Sequence, residues 1–123
     1  MRIGSLLAGL LLLLLRPALA ADADHGRALF RTFCSVCHVA EKGAGNRIGP
    51  NLYGVVGRRA GTVPNFAYSQ AIRDAAFTLS EEELKLWLAA PAKRVPGTRM
   101  SFGGLASPAD RDDLVAYLAM LRD

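Results

Sequence analysis

Both cysteines of this 123-residue chain lie in one five-residue segment, CSVCH, at residues 34–38. The two thiols are three positions apart, and His38 follows the second of them directly. Any fold of the chain must therefore bring two thiols and an imidazole to one place. Three kinds of site use such a cluster: a cysteine pair that forms a disulfide, a zinc site and a covalently attached haem.

The rest of the chain gives little support to a disulfide or to zinc. A thioredoxin-type redox pair shares the spacing of Cys34 and Cys37, but it belongs to a βαβ setting, and no stretch of this sequence alternates convincingly as a strand. Zinc would need two further cysteine or histidine ligands, and only His25 remains. Haem attachment also explains His38, because each thiol bonds to one vinyl group and the adjacent imidazole binds the iron. The motif therefore favours one haem c, attached through both cysteines.

A haem iron in this chain would need a sixth ligand or a vacancy, and the candidate ligands are His25, Met100 and Met120. His25 lies on the same predicted helix as Cys34, from which it cannot easily reach the opposite face of the haem. Met120 is near the end of the last predicted helix, where a methionine ordinarily packs or lies on the surface. Met100 follows a loop long enough to come round the far side. His38 and Met100 are thus the predicted axial pair, which raises the reduction potential.

Four short helices are predicted, and they are joined by long loops. They cover, approximately, residues 23–33, 69–75, 80–90 and 108–121. The loop at residues 41–66 has no regular periodicity but contains several apolar side chains, so it needs something apolar to enclose. The sequence therefore predicts an all-α domain whose helices and loops wrap around one covalently attached haem.

The chain opens with MRIGSLLAGLLLLLLRPALA, in which a basic residue precedes an apolar run and a small-residue ending. This layout is typical of a secretory signal, with cleavage expected after Ala20. Arg16 ends the apolar run before the roughly 20 residues that a membrane span needs, and a retained anchor is the alternative. We therefore predict a cleavable signal peptide at residues 1–20 and a single domain at residues 21–123.

The charge of the chain gives little support to nucleic-acid binding. The formal net charge is +4, and removal of the leader would take away Arg2 and Arg16 and lower it to +2. Acidic residues gather at 81–83 and 110–113, so the charge is unevenly distributed. Such a distribution suits a docking face better than a groove for a polyanion.

Further motifs accompany CSVCH in a fixed order: RIGPNLYGVVGRRAG, PNFAYS, PGTRMSFGG and DDLVAYL. In this order and at these intervals the sequence resembles class I c-type cytochromes, closest to mitochondrial cytochrome c and its bacterial periplasmic relatives. The resemblance covers nearly all of residues 24–121. It implies His38 and Met100 as the axial ligands of one haem. It also implies that the first and last helices cross near Gly26, Phe30, Leu114 and Tyr117.

The resemblance implies roles for other residues around the haem. The carbonyl group of Pro50 would accept the second ring proton of His38 and fix its tautomer. Arg58 and Tyr68 would bind one haem propionate, and Thr98 would lie near the other. Phe102 would cover the haem edge.

The function expected from these features is that of a soluble periplasmic one-electron carrier, not an enzyme. The implied partners are redox proteins such as membrane cytochrome complexes, a terminal oxidase, a photosynthetic reaction centre or a periplasmic dehydrogenase. Nucleic acid and stable membrane insertion are not expected, and the chain is predicted to be a monomer. Two alternatives stay open: a haem-based gas sensor or peroxidase-like protein from which Met100 dissociates, and the electron-entry subunit of a larger dehydrogenase.

The predicted docking face differs from that of the mitochondrial proteins, in which lysines ring the exposed haem edge. The matching positions here include Phe33, Ala92, Ala106 and Ser107, although Arg47, Lys93 and Arg99 remain basic. We therefore expect weaker steering by charge and a more apolar contact with the partner.

Overall fold

The computed structural model describes residues 19–123, so nearly all of the predicted leader lies outside the described residues. Within that range the only extended pairing is a single antiparallel bridge between Arg59 and Thr78, and no helix is long and apolar enough to cross a membrane. The predicted all-α class is confirmed. The α-helices are α1 (Ala23–Leu29), α2 (Gln70–Ala75), α3 (Glu81–Ala89), α4 (Pro91–Arg94) and α5 (Pro108–Ala119).

The first helix changes its hydrogen-bonding pattern before it reaches the cysteines. The sequence predicts one helix to Phe33, but α1 is followed directly by a π-helical turn, Phe30–Cys34. The N–H of Ser35 closes the wider turn by donating to the carbonyl of Phe30 at 2.9 Å. Such turns inserted into α-helices are frequent at functional sites. This one ends on the first cysteine of the CSVCH segment.

The helix α4 is a single turn that the four predicted helices do not include. The sequence places the end of α3 at Pro91, and α3 does end just before it, at Ala89. Pro91 then occupies the first position of α4. A proline disrupts the interior of a helix, but its fixed φ angle and missing N–H suit the first position. One proline therefore ends one helix and begins the next.

The centre of the core forms where α1 crosses α5. A Cβ atom at Gly26 would overlap the carbonyl oxygen of Asp113 and lie 2.9 Å from the Cβ of Tyr117. The rings of Phe30 and Tyr117 pack with their centroids 5.6 Å apart, and Leu114 is fully buried. The predicted crossing of the first and last helices at these residues is confirmed.

A partly exposed ion pair joins the start of α1 to α5. The Nδ1 atom of His25 lies 2.8 Å from Oδ2 of Asp113, whose Oδ1 accepts the N–H of Asp22 at 2.7 Å. The hydrogen bond to Asp113 raises the pKa of His25, and the nearby carboxylate of Asp110 adds to this effect. The hydrogen bonds from Asp22 and His25 lower the pKa of Asp113.

We expect the substitution His25→Gln to lower stability in a pH-dependent way. Because the pKa of His25 is raised in the folded state, the contribution of His25 to the free energy of unfolding is complete below pH 6.5, its ordinary pKa. This contribution is lost as the pH rises through the folded-state pKa. The lowered pKa of Asp113 means that its contribution is present above 3.8 and is lost as the pH falls through the folded-state pKa. The free energies of unfolding of wild type and variant, measured in urea, should differ most between pH 3.8 and pH 6.5 and should converge at alkaline pH. A difference that grows with pH would contradict the pairing.

Candidate haem site

A largely apolar cavity of about 820 Å³ opens beside the CSVCH segment. This volume is within the range of ligand and cofactor pockets. The wall is formed by the CSVCH turn, by the long loops, and by residues of α3 and α5. All nine residues that the sequence singles out lie on this wall: Cys34, Cys37, His38, Pro50, Arg58, Tyr68, Thr98, Met100 and Phe102.

The two cysteines lie on one tight turn and form no disulfide with each other. Cys34 ends the π-helical turn and is buried, and the N–H of Cys37 donates to the carbonyl of Cys34 at 3.1 Å. Burial raises the pKa of Cys34 to about 11, so its side chain stays a neutral thiol before any attachment. Two thiols on one turn at an apolar wall are suited to bond to the two vinyl groups of a porphyrin.

The imidazole ring of His38 is fixed from two sides. Its Nδ1 atom lies 2.7 Å from the carbonyl oxygen of Pro50, the contact that the resemblance implies. Since a carbonyl only accepts, Nδ1 carries the proton and Nε2 keeps the lone pair that binds a metal. Burial lowers the pKa of His38, which favours the neutral form. Gly49 closes the other side, because a Cβ atom there would lie 2.6 Å from Nδ1 and 2.7 Å from Nε2.

Met100 lies on the wall of the same cavity as His38. The hydroxyl oxygen of Thr98 accepts the N–H of Met100 at 3.2 Å and so restrains the backbone there. Among the histidines and methionines of residues 19–123, only His38 and Met100 line the cavity. His25 is in the α1–α5 ion pair, and the side chain of Met120 is 67% exposed.

Arg58 and Tyr68 reach the cavity while they bond to backbone groups. Arg58 donates from Nη1 to the carbonyl of Asn51 at 3.0 Å and from Nη2 to that of Tyr53 at 2.6 Å. The Tyr68 hydroxyl accepts the N–H of Val63 at 3.0 Å. Burial lowers the pKa of Arg58 and raises that of Tyr68. Because a guanidinium has five N–H donors and a phenol still has its O–H, both side chains keep donors for a carboxylate.

Apolar side chains surround the mouth of the cavity. Phe102 packs against Phe33 with ring centroids 6.3 Å apart, and Phe33 is 46% exposed. Val36 and Ile48, which also line the cavity, are 68% and 74% exposed. Exposed apolar residues clustered at one opening are typical of a surface that contacts another molecule.

The profile of the cytochrome c family matches residues 23–122. The chain belongs to the cytochrome c family. It is an electron carrier, and it carries one haem c. The cavity fits this group, since it brings together two thiols, the free Nε2 of His38, the thioether of Met100 and the guanidinium of Arg58 on a largely apolar wall.

Individual proteins of the family resemble the chain over most of its length. Cytochrome c of Chlamydomonas reinhardtii is 50% identical over 99 residues, which cover 80% of this chain and 88% of that protein. Cytochrome c of Euglena viridis is 46% identical over 102 residues, or 83% and 99% of the two chains. The structure of cytochrome cH from Methylobacterium extorquens matches with a TM-score of 0.76 and 42% identity, covering 81% of this chain and 99% of that one. These matches support the class I cytochrome c fold.

The sequence predicts no role for three residues of the loop that contacts His38: Asn46, Gly49 and Asn51. Asn46 accepts the N–H of Asn51 at 2.9 Å, and the amide group of Asn51 donates to two backbone carbonyls. The one sequence signal for Gly49 is its place before Pro50 in the motif IGPN. Periodicity gives no information inside an irregular loop, so contacts with a residue 11 positions earlier become visible only in the fold.

We expect Gly49→Ala to displace the imidazole of His38. Because the new methyl group would overlap the ring, either the loop or His38 must move, at a cost of about 1–3 kcal/mol in the free energy of unfolding. Visible spectra of the haem-loaded variant should show a loss of the native low-spin form, and urea unfolding should show the loss of stability. Gly45→Ala is the matched control, since a Cβ atom at Gly45 meets nothing within 4 Å. An unchanged spectrum and stability for Gly49→Ala would show that the loop is not held against the ring.

Proposed function

We propose that this chain is a periplasmic one-electron carrier whose haem iron is bound by His38 and Met100. The observation that carries the proposal is the cavity wall, on which these two side chains accompany Cys34 and Cys37. If both side chains hold the iron, no coordination position would be left for a substrate. The arrangement therefore supports electron transfer without enzymatic turnover at the metal.

The haem, when bound, supplies reversible one-electron exchange between ferric and ferrous iron. The residues of the chain would hold the haem and set its reduction potential. Cys34 and Cys37 would fix the porphyrin covalently, and the Pro50 carbonyl holds the His38 ring in one tautomer. The neutral thioether of Met100 would favour the ferrous state and raise the potential. The apolar wall excludes water, so few groups need to reorganise when the charge changes.

The visible spectrum of the reduced, haem-loaded protein before and after carbon monoxide tests this proposal. We expect an unchanged c-type spectrum, because His38 and Met100 would both hold the iron and leave no position for carbon monoxide. A prompt spectral shift in the wild-type protein would mean a vacant or labile sixth position. That result would overturn the carrier proposal and favour the gas sensor or the peroxidase-like protein.

The leader predicted at residues 1–20 supports the periplasmic location. The first described helix begins at Ala23, with Asp22 as its N-cap, so cleavage after Ala20 would remove none of the described helices. The intact mass of the exported protein tests this directly. A mature chain that begins at Ala21 is expected, whereas a retained leader would favour the membrane-anchored alternative.

We infer that the partners are redox proteins that meet the apolar mouth of the cavity. Two basic residues near this mouth are held by backbone carbonyls but keep their charge: Arg47 donates to the carbonyl of Ser35 at 2.8 Å, and Arg99 donates to that of Ala67 at 2.7 Å. Several exposed apolar side chains surround them. Exposed Phe33 lies at the same opening. Contact at this surface would therefore depend more on apolar burial than on pairing of charges.

We expect the electron-transfer rate with the anionic reagent hexacyanoferrate(III) to depend only weakly on salt. The rate for the reduced, haem-loaded protein should fall less than about threefold when the ionic strength rises from about 10 to about 300 mM. Among the described residues, the cationic side chains that line the cavity are only those of Arg47, Arg58 and Arg99. The double variant Ala92→Lys, Ala106→Lys is the matched comparison, since both residues are exposed. It should react faster at low salt and show a steep dependence. A steep dependence in the wild type would contradict the inference.

A further inference from the structure

We propose that Asn46 is a positioning residue for His38, acting through the peptide group that joins Pro50 to Asn51. This inference rests on the proposed role of His38 as an iron ligand. It assigns to Asn46 a part in setting the reduction potential, in addition to any role in holding the loops together. The evidence is a continuous series of hydrogen bonds from the Asn46 amide to the imidazole ring.

The series passes through one planar peptide group. The carbonyl of Pro50 and the N–H of Asn51 belong to the same plane and point in opposite directions, so fixing either end orients the other. At one end, the carbonyl oxygen lies 2.7 Å from Nδ1 of His38. At the other end, the N–H of Asn51 donates to Oδ1 of Asn46 at 2.9 Å. Asn46 thus sets the direction of the carbonyl group that orients the ring.

The side chain of Asn46 is itself held in one orientation. Its Nδ2 atom donates to the carbonyl oxygen of Pro64 at 3.0 Å. Because a carbonyl accepts only from the NH₂ group, this bond fixes which end of the amide is the nitrogen. The oxygen is therefore the end that faces the N–H of Asn51, as an acceptor must.

Neighbouring hydrogen bonds hold the segment in place, but apart from the bonds to His38 and Asn46 none of them involves the carbonyl of Pro50 or the N–H of Asn51. The N–H of Gly49 donates to the carbonyl of Cys37 at 2.9 Å, and that of Leu52 donates to Val39 at 2.9 Å. These two bonds attach the segment to the CSVCH turn on each side of Pro50. Rotation about the bonds that flank the peptide group would still swing its carbonyl away from His38. The acceptor on Asn46 restrains that rotation.

The expected chemical consequence is a more basic imidazole. A hydrogen bond at the N–H end of a peptide polarises its carbonyl, which then accepts more strongly. A histidine that donates strongly from Nδ1 is a better electron donor at Nε2 and stabilises the more highly charged metal state. Loss of the Asn46 acceptor should therefore weaken the donor strength of His38 and raise the reduction potential.

The test compares Asn46→Ala and Asn46→Asp in the haem-loaded protein. For Asn46→Ala we expect a higher reduction potential and exchange of the His38 Nδ1 proton with solvent that is about tenfold faster or more, measured by NMR in the reduced state. Asn46→Asp keeps an acceptor for the N–H of Asn51 but loses the donor to Pro64. The His38 Nδ1 proton of this variant should exchange at a rate close to that of wild type. Its reduction potential is not a criterion, because the added carboxylate charge changes the potential directly.

Two results would overturn the proposal. In one, Asn46→Ala lowers the free energy of unfolding but changes neither the potential nor the exchange rate, as a purely structural role requires. In the other, Asn46→Asp exchanges as fast as Asn46→Ala. If Asn46→Ala does not fold, Asn46→Leu, whose side chain likewise offers no acceptor, takes its place under the same criteria. Nitrogen-15 NMR of the wild type separately tests whether Nε2 of His38 binds the iron, so failure of the proposed ligand is recognised independently.

Discussion

Replacing Met100 by alanine should convert a protein that does not react with carbon monoxide into one that binds it at once. In residues 19–123 no other methionine lies on the cavity wall, and the one histidine there is His38. If Met100 is the sixth ligand, as proposed, removal of its thioether would leave the iron with His38 as the one protein ligand from the cavity wall. The reduction potential should fall by on the order of 0.1 V, a fraction of the roughly 0.8 V over which axial ligands set haem potentials.

The control for Met100→Ala is the substitution of a methionine that does not line the cavity. Met120 serves this purpose, because its side chain is 67% exposed and lies outside the cavity. Met120→Ala should keep the wild-type potential and remain unreactive toward carbon monoxide. If Met100→Ala behaves like Met120→Ala, then Met100 is not the sixth ligand. If both the wild type and Met100→Ala bind carbon monoxide equally, the sixth position is vacant in the native protein.

The substitution Gly26→Ala should destabilise the fold, although alanine is the better helix former. In an exposed helix the change gains about 1 kcal/mol. Here the added methyl group would overlap the carbonyl oxygen of Asp113 and press on Tyr117, so α1 and α5 would have to separate. Overpacking of this kind costs about 1–3 kcal/mol and occasionally more. We expect urea unfolding to show a net loss of about 2 kcal/mol, a large part of the stability of a small domain.

Two comparisons isolate the cause of that loss. Gly103→Ala is the control, because a Cβ atom there meets nothing within 4 Å, and it should change stability by less than about 0.5 kcal/mol. The spectrum of native Gly26→Ala should match wild type, since Gly26 does not line the haem cavity. This distinguishes it from Gly49→Ala, for which both stability and spectrum should change. A gain of stability in Gly26→Ala would mean that the two helices are not in close contact.

Local signals in the sequence located most of the helices. Ser80 and Ser107 are the N-caps of α3 and α5, where their hydroxyl groups accept the N–H groups of Glu83 and Asp110. Capping depends on residues within one turn, so it can be recognised in the sequence. The π-helical turn at residues 30–34 could not be recognised in this way. Its hydrogen bonds extend one residue further than those of an α-helix, and no local pattern in the sequence marks that change.

The residues of the candidate site also fall into two groups: those that the local sequence predicts and those whose roles only the fold reveals. CSVCH predicts the attachment chemistry, because two thiols and an imidazole on one turn act together wherever the turn lies. Met100 required a different argument, based on the length of a loop and the elimination of His25 and Met120, and its position on the cavity wall agrees with it. The roles of Gly49 and Asn46 follow from contacts within the loop at residues 41–66 and between this loop and the CSVCH turn, which periodicity and spacing do not encode.

The sequence by itself determined the cofactor chemistry, the helical class and the family, since these depend on short motifs and on their order along the chain. The resemblance already implies the carbonyl of Pro50 as the partner of His38. Only the tertiary structure decided how the ring and that carbonyl are held, by the close approach of Gly49 and by the hydrogen bond of Asn46 to the same peptide group. These contacts join segments that are separated in the chain. Their geometry depends on how the whole chain packs around the cavity, because a buried group can be oriented only by neighbours that the fold brings to it.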